Sequence, residues 1–218
     1  MTRVLVVGAG GLGGPIAMAL GAAGVELTIA DPDVVELSNL HRQIQFTAAD
    51  LGQPKSARLA ARVGELARGL QARWSAESAA ALADGAELLV DASDDPTTKF
   101  AVADFAVARG LPYVIAAALR YGGNAFAGAP GAACYRCLFE EPADVASCAD
   151  AGVLGPVVGA IGGVAAALAL GLLSGDRTHA GALFAWDDLR RATEPRIVRF
   201  ASRPDCPACA RAPKTEAA

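Results

Sequence analysis

At 218 residues the chain has room for one α/β domain of ordinary size, with or without a small annex, and two full-sized domains would be cramped. Hydrophobic residues make up 53% of it and charged residues 19%, which excludes wholesale disorder and supplies apolar surface for a sizeable core. A formal net charge of −4 argues against a protein that grips phosphate backbones with a basic face.

Thr2-Arg3 runs straight into Val4-Leu5-Val6-Val7, an apolar run too short for a signal peptide and read as a first strand over 3–7; a cytoplasmic location is expected. Short apolar runs then alternate with longer Ala-rich stretches, the pattern of βαβ units on a parallel sheet. Further strands are expected over 26–30, 71–75, 87–91 and 112–117, with helices near 12–23, 55–68 and 97–109. The second half changes texture: strands over 119–127 and 132–138 around a Gly122-Gly123 turn, an apolar helix over 151–174, strands over 181–186 and 195–200, and a frayed tail over 211–218. The expected fold class is α/β, a Rossmann-like, mostly parallel sheet with an antiparallel C-terminal extension. Residues 1–210 read as a single domain with a nucleotide-binding half over 1–118 and a second half over 119–210.

Residues 151–174 contain twenty-four positions without a charge, long enough for a membrane span. The alternative is a buried central helix, favoured by Gly152, Gly155, Gly159, Gly162, Gly163, Gly171 and Pro156, which lower hydrophobicity and permit close helix approach. Neither flank carries a basic cluster.

After the first strand, Gly8-Ala9-Gly10-Gly11-Leu12-Gly13 forms a GxGxxG opening a helix. Glycines allow a tight turn and close backbone approach, and the helix N-terminus offers unpaired N–H groups to a phosphate. Asp31 follows about 20 residues on, at the end of the second strand, where a carboxylate accepts ribose hydroxyls. The motif alone does not separate a dinucleotide dehydrogenase from an ATP user, or either from a glycine-rich turn that binds nothing. The residues that follow point towards ATP. Asp31 to Gln43 is a long polar connection carrying Ser38, Asn39 and Arg42; Lys55 opens the next helix; and Asp91-Ala92-Ser93-Asp94-Asp95 ends a later strand with three carboxylates. Cations for phosphoryl oxygens and an aspartate for Mg²⁺ are what a triphosphate requires. Arg42 and Lys55 also read as solvated helix-end charges, and Asp91 or Asp95 as a helix cap before Thr97 and Thr98. His41 is expected at the edge of the site and His179 in a turn.

Four of the five cysteines form the pairs Cys134-x-x-Cys137 and Cys206-x-x-Cys209, each able to supply half of a tetrahedral metal site. The 68 residues between them exceed zinc-ribbon spacing, and separate redox motifs or unpaired core thiols are alternatives. The odd cysteine, Cys148, follows an acidic stretch and precedes the apolar helix. A helix N-terminus lowers a thiol pKa and nearby acids raise it, so catalytic and inert readings both stand.

The set GAGGLG at 8–13, DPDVVELSNLHRQ at 31–43, GQPK ending at Lys55, DASDD at 91–95, CYRC at 134–137, CADAGVLGPVVG at 148–159 and CPAC at 206–209 resembles the ThiF/MoeB/HesA family, the bacterial relatives of ubiquitin-activating enzymes. The resemblance spans nearly the whole chain, in order. It implies an ATP-dependent adenylyltransferase for a small ubiquitin-like sulfur carrier ending in Gly-Gly, serving thiamine thiazole or molybdopterin biosynthesis, with the thiazole branch preferred. Carried over position by position, Gly11 and Asp31 contact adenosine and ribose, with Gly8, Gly10 and Gly13 completing the nucleotide-binding loop, Ser38, Asn39 and Arg42 line the phosphates, Lys55 neutralises them, and Asp94 holds Mg²⁺. Cys134, Cys137, Cys206 and Cys209 bind a structural zinc ion that clasps the carrier-binding half, and Cys148 is a tentative covalent link to the carrier. A homodimer is implied, and a sulfur-donor protein is a possible further partner. Three residues precede the apolar run Val4–Val7 of the first strand, where the family has a helical stretch that lends an arginine to the partner's ATP site. Asp95 and Lys99 stand where Asn and Arg are usual. A degenerate member acting as a scaffold, and a nicotinamide-dependent reductase suggested by GxGxxG alone, are the competing functions.

Overall fold

In the computed structural model, which describes residues 2–142 and 151–210, β1 (Arg3–Val7) leads through α1 (Gly13–Ala22) to β2 (Glu26–Ala30), α2 (Lys55–Val63), β3 (Ala67–Leu70), α3 (Ala79–Leu82), β4 (Leu88–Asp91), α4 (Pro96–Arg109) and β5 (Tyr113–Leu119). After a turn at Arg120 and Tyr121 come β6 (Gly122–Gly128), α5 (Tyr135–Leu138), α6 (Gly155–Leu173), β7 (Ala182–Trp186) and β8 (Arg196–Arg199). The strands form one eight-stranded sheet in the order β3-β2-β1-β4-β5-β6-β7-β8. The first five pair in parallel and the last three antiparallel.

Strand alternation builds two cores. Val4 and Val6 point to one face of the sheet, with Leu88, Val90, Val114 and Ala116, where Ile16 and Leu20 of α1, Leu59 of α2 and Ile161 of α6 cover them. Leu5 and Val7 point to the other, with Leu89, Ile115 and Phe126, under Leu82 of α3, Phe100 of α4 and Tyr135 of α5. Burial on both faces explains why these strands read as continuous apolar runs rather than alternating ones. The chain winds outward from β1 to β3 and then crosses back to β4 on the other side of β1. A crevice therefore opens at the carboxyl ends of β1 and β4, the switch point where open α/β sheets bind ligands.

By length and composition α6 could cross a membrane, yet Val157, Val158, Ile161, Ala165 and Ala169 are buried in the core cluster that includes α1 and the sheet. The sheet beneath is paved with Ala116, Ala118, Ala125 and Ala127, which lets the helix lie close. At Gly162 a Cβ would stand 2.9 Å from Cβ of Pro15 and 3.2 Å from the Leu12 carbonyl oxygen.

Several boundaries differ from the sequence reading. The third strand is Ala67–Leu70, not 71–75, and α2 ends at Val63 instead of continuing to 68. Gly64, at φ 103°, stops the helix and returns the chain to the sheet early. Trp74 is spent in the second core instead. Gly122 and Gly123 lie inside β6, because the two-residue turn is Arg120-Tyr121, with Arg120 at φ 53°. Residues 132–138 are not a strand: Cys137 N–H donates to the Cys134 carbonyl at 2.9 Å, closing a helical turn. Two thiols three apart converge on such a turn and diverge on a strand. The frayed tail expected at 211–218 and the thiol of Cys148 lie outside the described residues.

Because Gly162 has no room for a side chain, Gly162→Val should overpack the α1–α6 contact and destabilise the protein by about 1–3 kcal/mol. Urea unfolding measures this; a midpoint equal to that of the native protein would contradict the packing described.

Candidate nucleotide site and thiol cluster

The β1–α1 loop is held tightly. Gly8 adopts φ 96°, and a Cβ there would stand 2.9 Å from the carbonyl carbon of Ala92, while one on Gly13 would lie 1.9 Å from the Gly8 oxygen. The loop thus rests directly on the β4–α4 connection. Gln45 Nε2 braces it from the other side, donating to the carbonyls of Ala9 and Gly10 at 3.0 Å each. With the carbonyls occupied, the amides of Gly10 and Gly11 have no backbone partner among the described residues and are available to an anion at the start of α1.

Asp31 is buried, with 6% exposure. One carboxylate oxygen accepts the Ala9 N–H at 2.7 Å and the other the Asp33 N–H at 2.8 Å. Burial pushes its pKa up, against the opposing pull of those two N–H groups and of Lys55. Asp31 therefore fastens the glycine loop to the end of β2, and its carboxylate has further lone pairs able to accept a hydroxyl.

The connection after Asp31 organises itself. Around a single 3₁₀ turn at Leu37–Asn39, Asn39 Nδ2 donates to Ser38 Oγ at 2.8 Å, and Gln43 Nε2 donates to Asn39 Oδ1 at 2.7 Å. Arg42 Nη1 reaches only the Ser38 carbonyl, at a long 3.4 Å, and His41 Nε2 at 3.5 Å, so its guanidinium is weakly engaged. His41 is exposed, its Nδ1 3.0 Å from the Ser38 carbonyl. Lys55 is buried, with Nζ 3.1 Å from the exposed carboxylate of Asp33. Asp50 anchors this region: it accepts the Thr47 N–H at 2.8 Å and pairs with Arg58 at 2.6 Å and Arg62 at 3.2 Å. The Thr47 N–H, with the arginines, outweighs burial and holds its carboxyl at about 2.

The three carboxylates at and just after the end of β4 have three different fates. Asp91 is fully buried and pairs with Lys99 at 2.8 Å. Asp95 caps α4, accepting from the Thr97 and Thr98 amides at 3.3 and 2.8 Å and from the Thr98 hydroxyl at 2.6 Å. Asp94 is exposed, with no hydrogen-bond or ion-pair partner among the described residues, one residue from the Ser93 amide that lies against Gly8. An exposed, unengaged carboxylate beside a phosphate loop is a suitable oxygen donor for a hard divalent cation. The sequence reading grouped Asp91 and Asp95 with Asp94 because spacing does not show which carboxylates are already satisfied. It passed over Gln45 altogether: an amide two residues beyond Gln43 carries no motif signal, and only the fold turns it towards Ala9.

The two cysteine pairs meet. Sγ of Cys134 lies 3.5 Å from that of Cys206, Cys137 lies 3.4 Å from Cys209, and Cys134 lies 3.8 Å from Cys137. All four sulfurs fall within 4.8 Å of one another. A tetrahedral ion with metal–sulfur bonds of 2.3 Å needs sulfur separations of about 3.8 Å, so the cluster could hold a metal ion. Burial raises the Cys134 thiol. At Cys206 burial also pushes upward, but the backbone N–H groups of Cys209 and Ala208 prevail and bring it down to about 7. The turn is well seated: Tyr113 Oη accepts the Tyr135 N–H at 2.9 Å, Arg136 forks onto Asp104 at 2.8–2.9 Å, and the Arg203 N–H donates to Cys137 Sγ at 3.4 Å. His179 packs edge-on against Phe184, with its Nδ1 3.4 Å from Arg199 Nη2.

The profile of the ThiF family matches residues 1–208. The chain belongs to the ThiF family. It is 40% identical to the SAMP-activating enzyme E1 of Haloferax volcanii, over 95% of this chain and 80% of that protein. It is 38% identical to the sulfur carrier protein ThiS adenylyltransferase of Escherichia coli K12, over 95% and 86%. In fold it is similar to E. coli MccB crystallised with AMPCPP and MccA, with a TM-score of 0.81, 18% identity, and coverage of 95% of this chain and 66% of that one.

In this ThiF-family chain the depressed carboxyl of Asp50 sets a pH dependence. Its folded pKa of about 2 lies below the ordinary carboxylate value of about 3.9. The contribution is complete above that ordinary value and is lost as pH falls through about 4 towards about 2. Between pH 7 and pH 3 the urea midpoint of the native protein should fall further than that of Asp50→Asn; parallel profiles would contradict the assignment.

Proposed function

We propose that the chain is an ATP-dependent adenylyltransferase that activates the C-terminal Gly-Gly carboxylate of a small ubiquitin-like sulfur carrier, with the thiazole branch of thiamine biosynthesis as the preferred pathway. The observation that carries this reading is the division of labour after β4: Asp91 and Asp95 are consumed by the fold, and Asp94 alone is left exposed and unengaged beside the glycine loop. Support also comes from the likeness to an adenylyltransferase of a sulfur carrier along most of both chains.

The attacking carboxylate is ionised at neutral pH, so the chain needs no general base and its residues position and neutralise instead. The amides of Gly10 and Gly11 and the N-terminus of α1 receive phosphate oxygens, and Asp31 accepts a ribose hydroxyl. Ser38 and Asn39 line the phosphate path. Arg42, weakly held at rest, swings onto the phosphoryl oxygens, and Lys55 neutralises them at the cost of its contact with Asp33. Asp94 holds Mg²⁺, which supplies further charge neutralisation when bound with ATP. The carrier carboxylate attacks the α-phosphorus, the bond to the bridging oxygen breaks, and pyrophosphate leaves, giving an acyl-adenylate. Cys148 is proposed as a covalent link to the carrier, and a homodimer is the proposed assembly. Cys134, Cys137, Cys206 and Cys209 hold zinc structurally, since four sulfurs fill the tetrahedron.

Asp94→Ala should lower carrier-dependent ATP–pyrophosphate exchange by at least ~100-fold while leaving the unfolding midpoint unchanged. Retained exchange would refute the role of Asp94, and carrier or nucleotide binding without exchange in the native protein would favour the scaffold. Protein purified without chelator should contain about one zinc per chain, lost in Cys206→Ser together with thermal stability. Absence of metal from the native protein would overturn the zinc assignment.

A further inference from the structure

The β4–α4 connection is tied down by a buried cation that the chemistry just proposed does not use. Lys99 lies on the first turns of α4 and is 6% exposed. Its Nζ donates to Asp91 Oδ2 at 2.8 Å, to the Ser93 carbonyl at 2.6 Å and to the Ala116 carbonyl at 2.7 Å. Those are all three donors of an ammonium group, so Lys99 has none to spare for a phosphate. The other oxygen of Asp91 accepts the Ser93 hydroxyl at 2.8 Å. The end of β4, the middle of β5 and the second residue of the connection are therefore joined around one ion pair.

A buried ion pair is weak evidence for stability, because desolvation offsets most of its attraction. Its hydrogen bonds instead fix a geometry, and what they fix here is the backbone at Ser93. The Ser93 nitrogen, with the Ala92 carbonyl before it, is the surface against which Gly8 is packed, and the residue after the Ser93 carbonyl is Asp94.

We propose that Lys99, together with Asp91, is a positioning residue for nucleotide binding: by clamping the Ser93 carbonyl from below it sets the Ser93–Asp95 connection against the glycine loop, and so sets where the Asp94 carboxylate stands relative to the phosphates. The proposal rests on the reading of Asp94 given above. It separates Lys99 from Lys55 and Arg42, which face the nucleotide. Both Lys99 and Arg can donate to a carboxylate and a carbonyl, whereas methionine fills the volume without a donor.

The test is calorimetric binding of ATP with Mg²⁺ and with EDTA, alongside hydrogen exchange at the Ser93 and Asp94 amides, in the native protein, Lys99→Met, Lys99→Arg, Ser93→Ala and Asp94→Ala. In Lys99→Met the gain in ATP affinity conferred by Mg²⁺ should shrink about tenfold or more, with faster exchange at Ser93 and Asp94 and little change in EDTA. Lys99→Arg should retain the gain to within about threefold, and Ser93→Ala, which removes the second tether of Asp91 and a long 3.5 Å contact with the Asp95 carbonyl, should lose about threefold. A folded Lys99→Met with a lower melting temperature and an undiminished Mg²⁺ gain would show a merely structural role and overturn the proposal. If Lys99→Met does not fold, Ser93→Ala decides, and an unchanged Mg²⁺ gain there overturns it. Asp94→Ala separates the two ideas: if it keeps the Mg²⁺ gain, both fall, and if it loses the gain while the Lys99 and Ser93 variants keep it, only the positioning role falls.

Discussion

The contact between the glycine loop and the first residues after β4 is the constraint on which the rest of the site depends. β1 and β4 are hydrogen-bonded neighbours with Val7 opposite Asp91, so the two loops leaving them are forced together at the switch point. Only a residue without a Cβ fits at Gly8, where Ala92 and Ser93 occupy the space. A nucleotide loop that could relax away from its neighbour would lose the fixed amide directions that make an anion site. Sequence, sheet order and binding geometry meet at that one packing contact.

Around it, polar groups are mostly satisfied within the protein before any ligand arrives. Asp31 holds two amides, Asn39 and Gln43 hold each other, and Asp50 gathers two arginines. A site pre-arranged in this way spends little binding energy on ordering itself. Arg42 and Asp94 are left weakly held, one cation and one carboxylate, the two kinds of charge that a metal-bound triphosphate calls for.

Much of this was legible in the sequence because the signals were local. The GxGxxG run after an apolar strand, the acid near residue 31 and the ordered set of motifs need no knowledge of distant contacts. The apolar helix was also placed, although its choice between membrane and core rests on partners such as Pro15 and Ala125 that lie far away in the chain. What escaped the sequence was long-range or one-residue in scale. The early end of α2 hangs on Gly64 at positive φ, and the role of Asp91 depends on Lys99 reaching it, whereas Asp95 as the cap of α4 was readable from the threonines that follow it. Gln45 is visible only once residue 9 stands beside it.

The thiol cluster joins residues 72 apart in the chain, and the loop between them carries α6, β7 and the edge strand β8. An ion held by all four sulfurs would turn that span into a closed ring wherever the sulfurs stay bound to it, before the sheet forms as well as after. For a ring of this size the lost freedom of the unfolded ensemble is on the order of 4 kcal/mol by the chain-entropy argument used for covalent cross-links. The cysteines would then act chiefly on a state in which the sheet does not exist, holding the last two strands within reach of the rest while the core assembles.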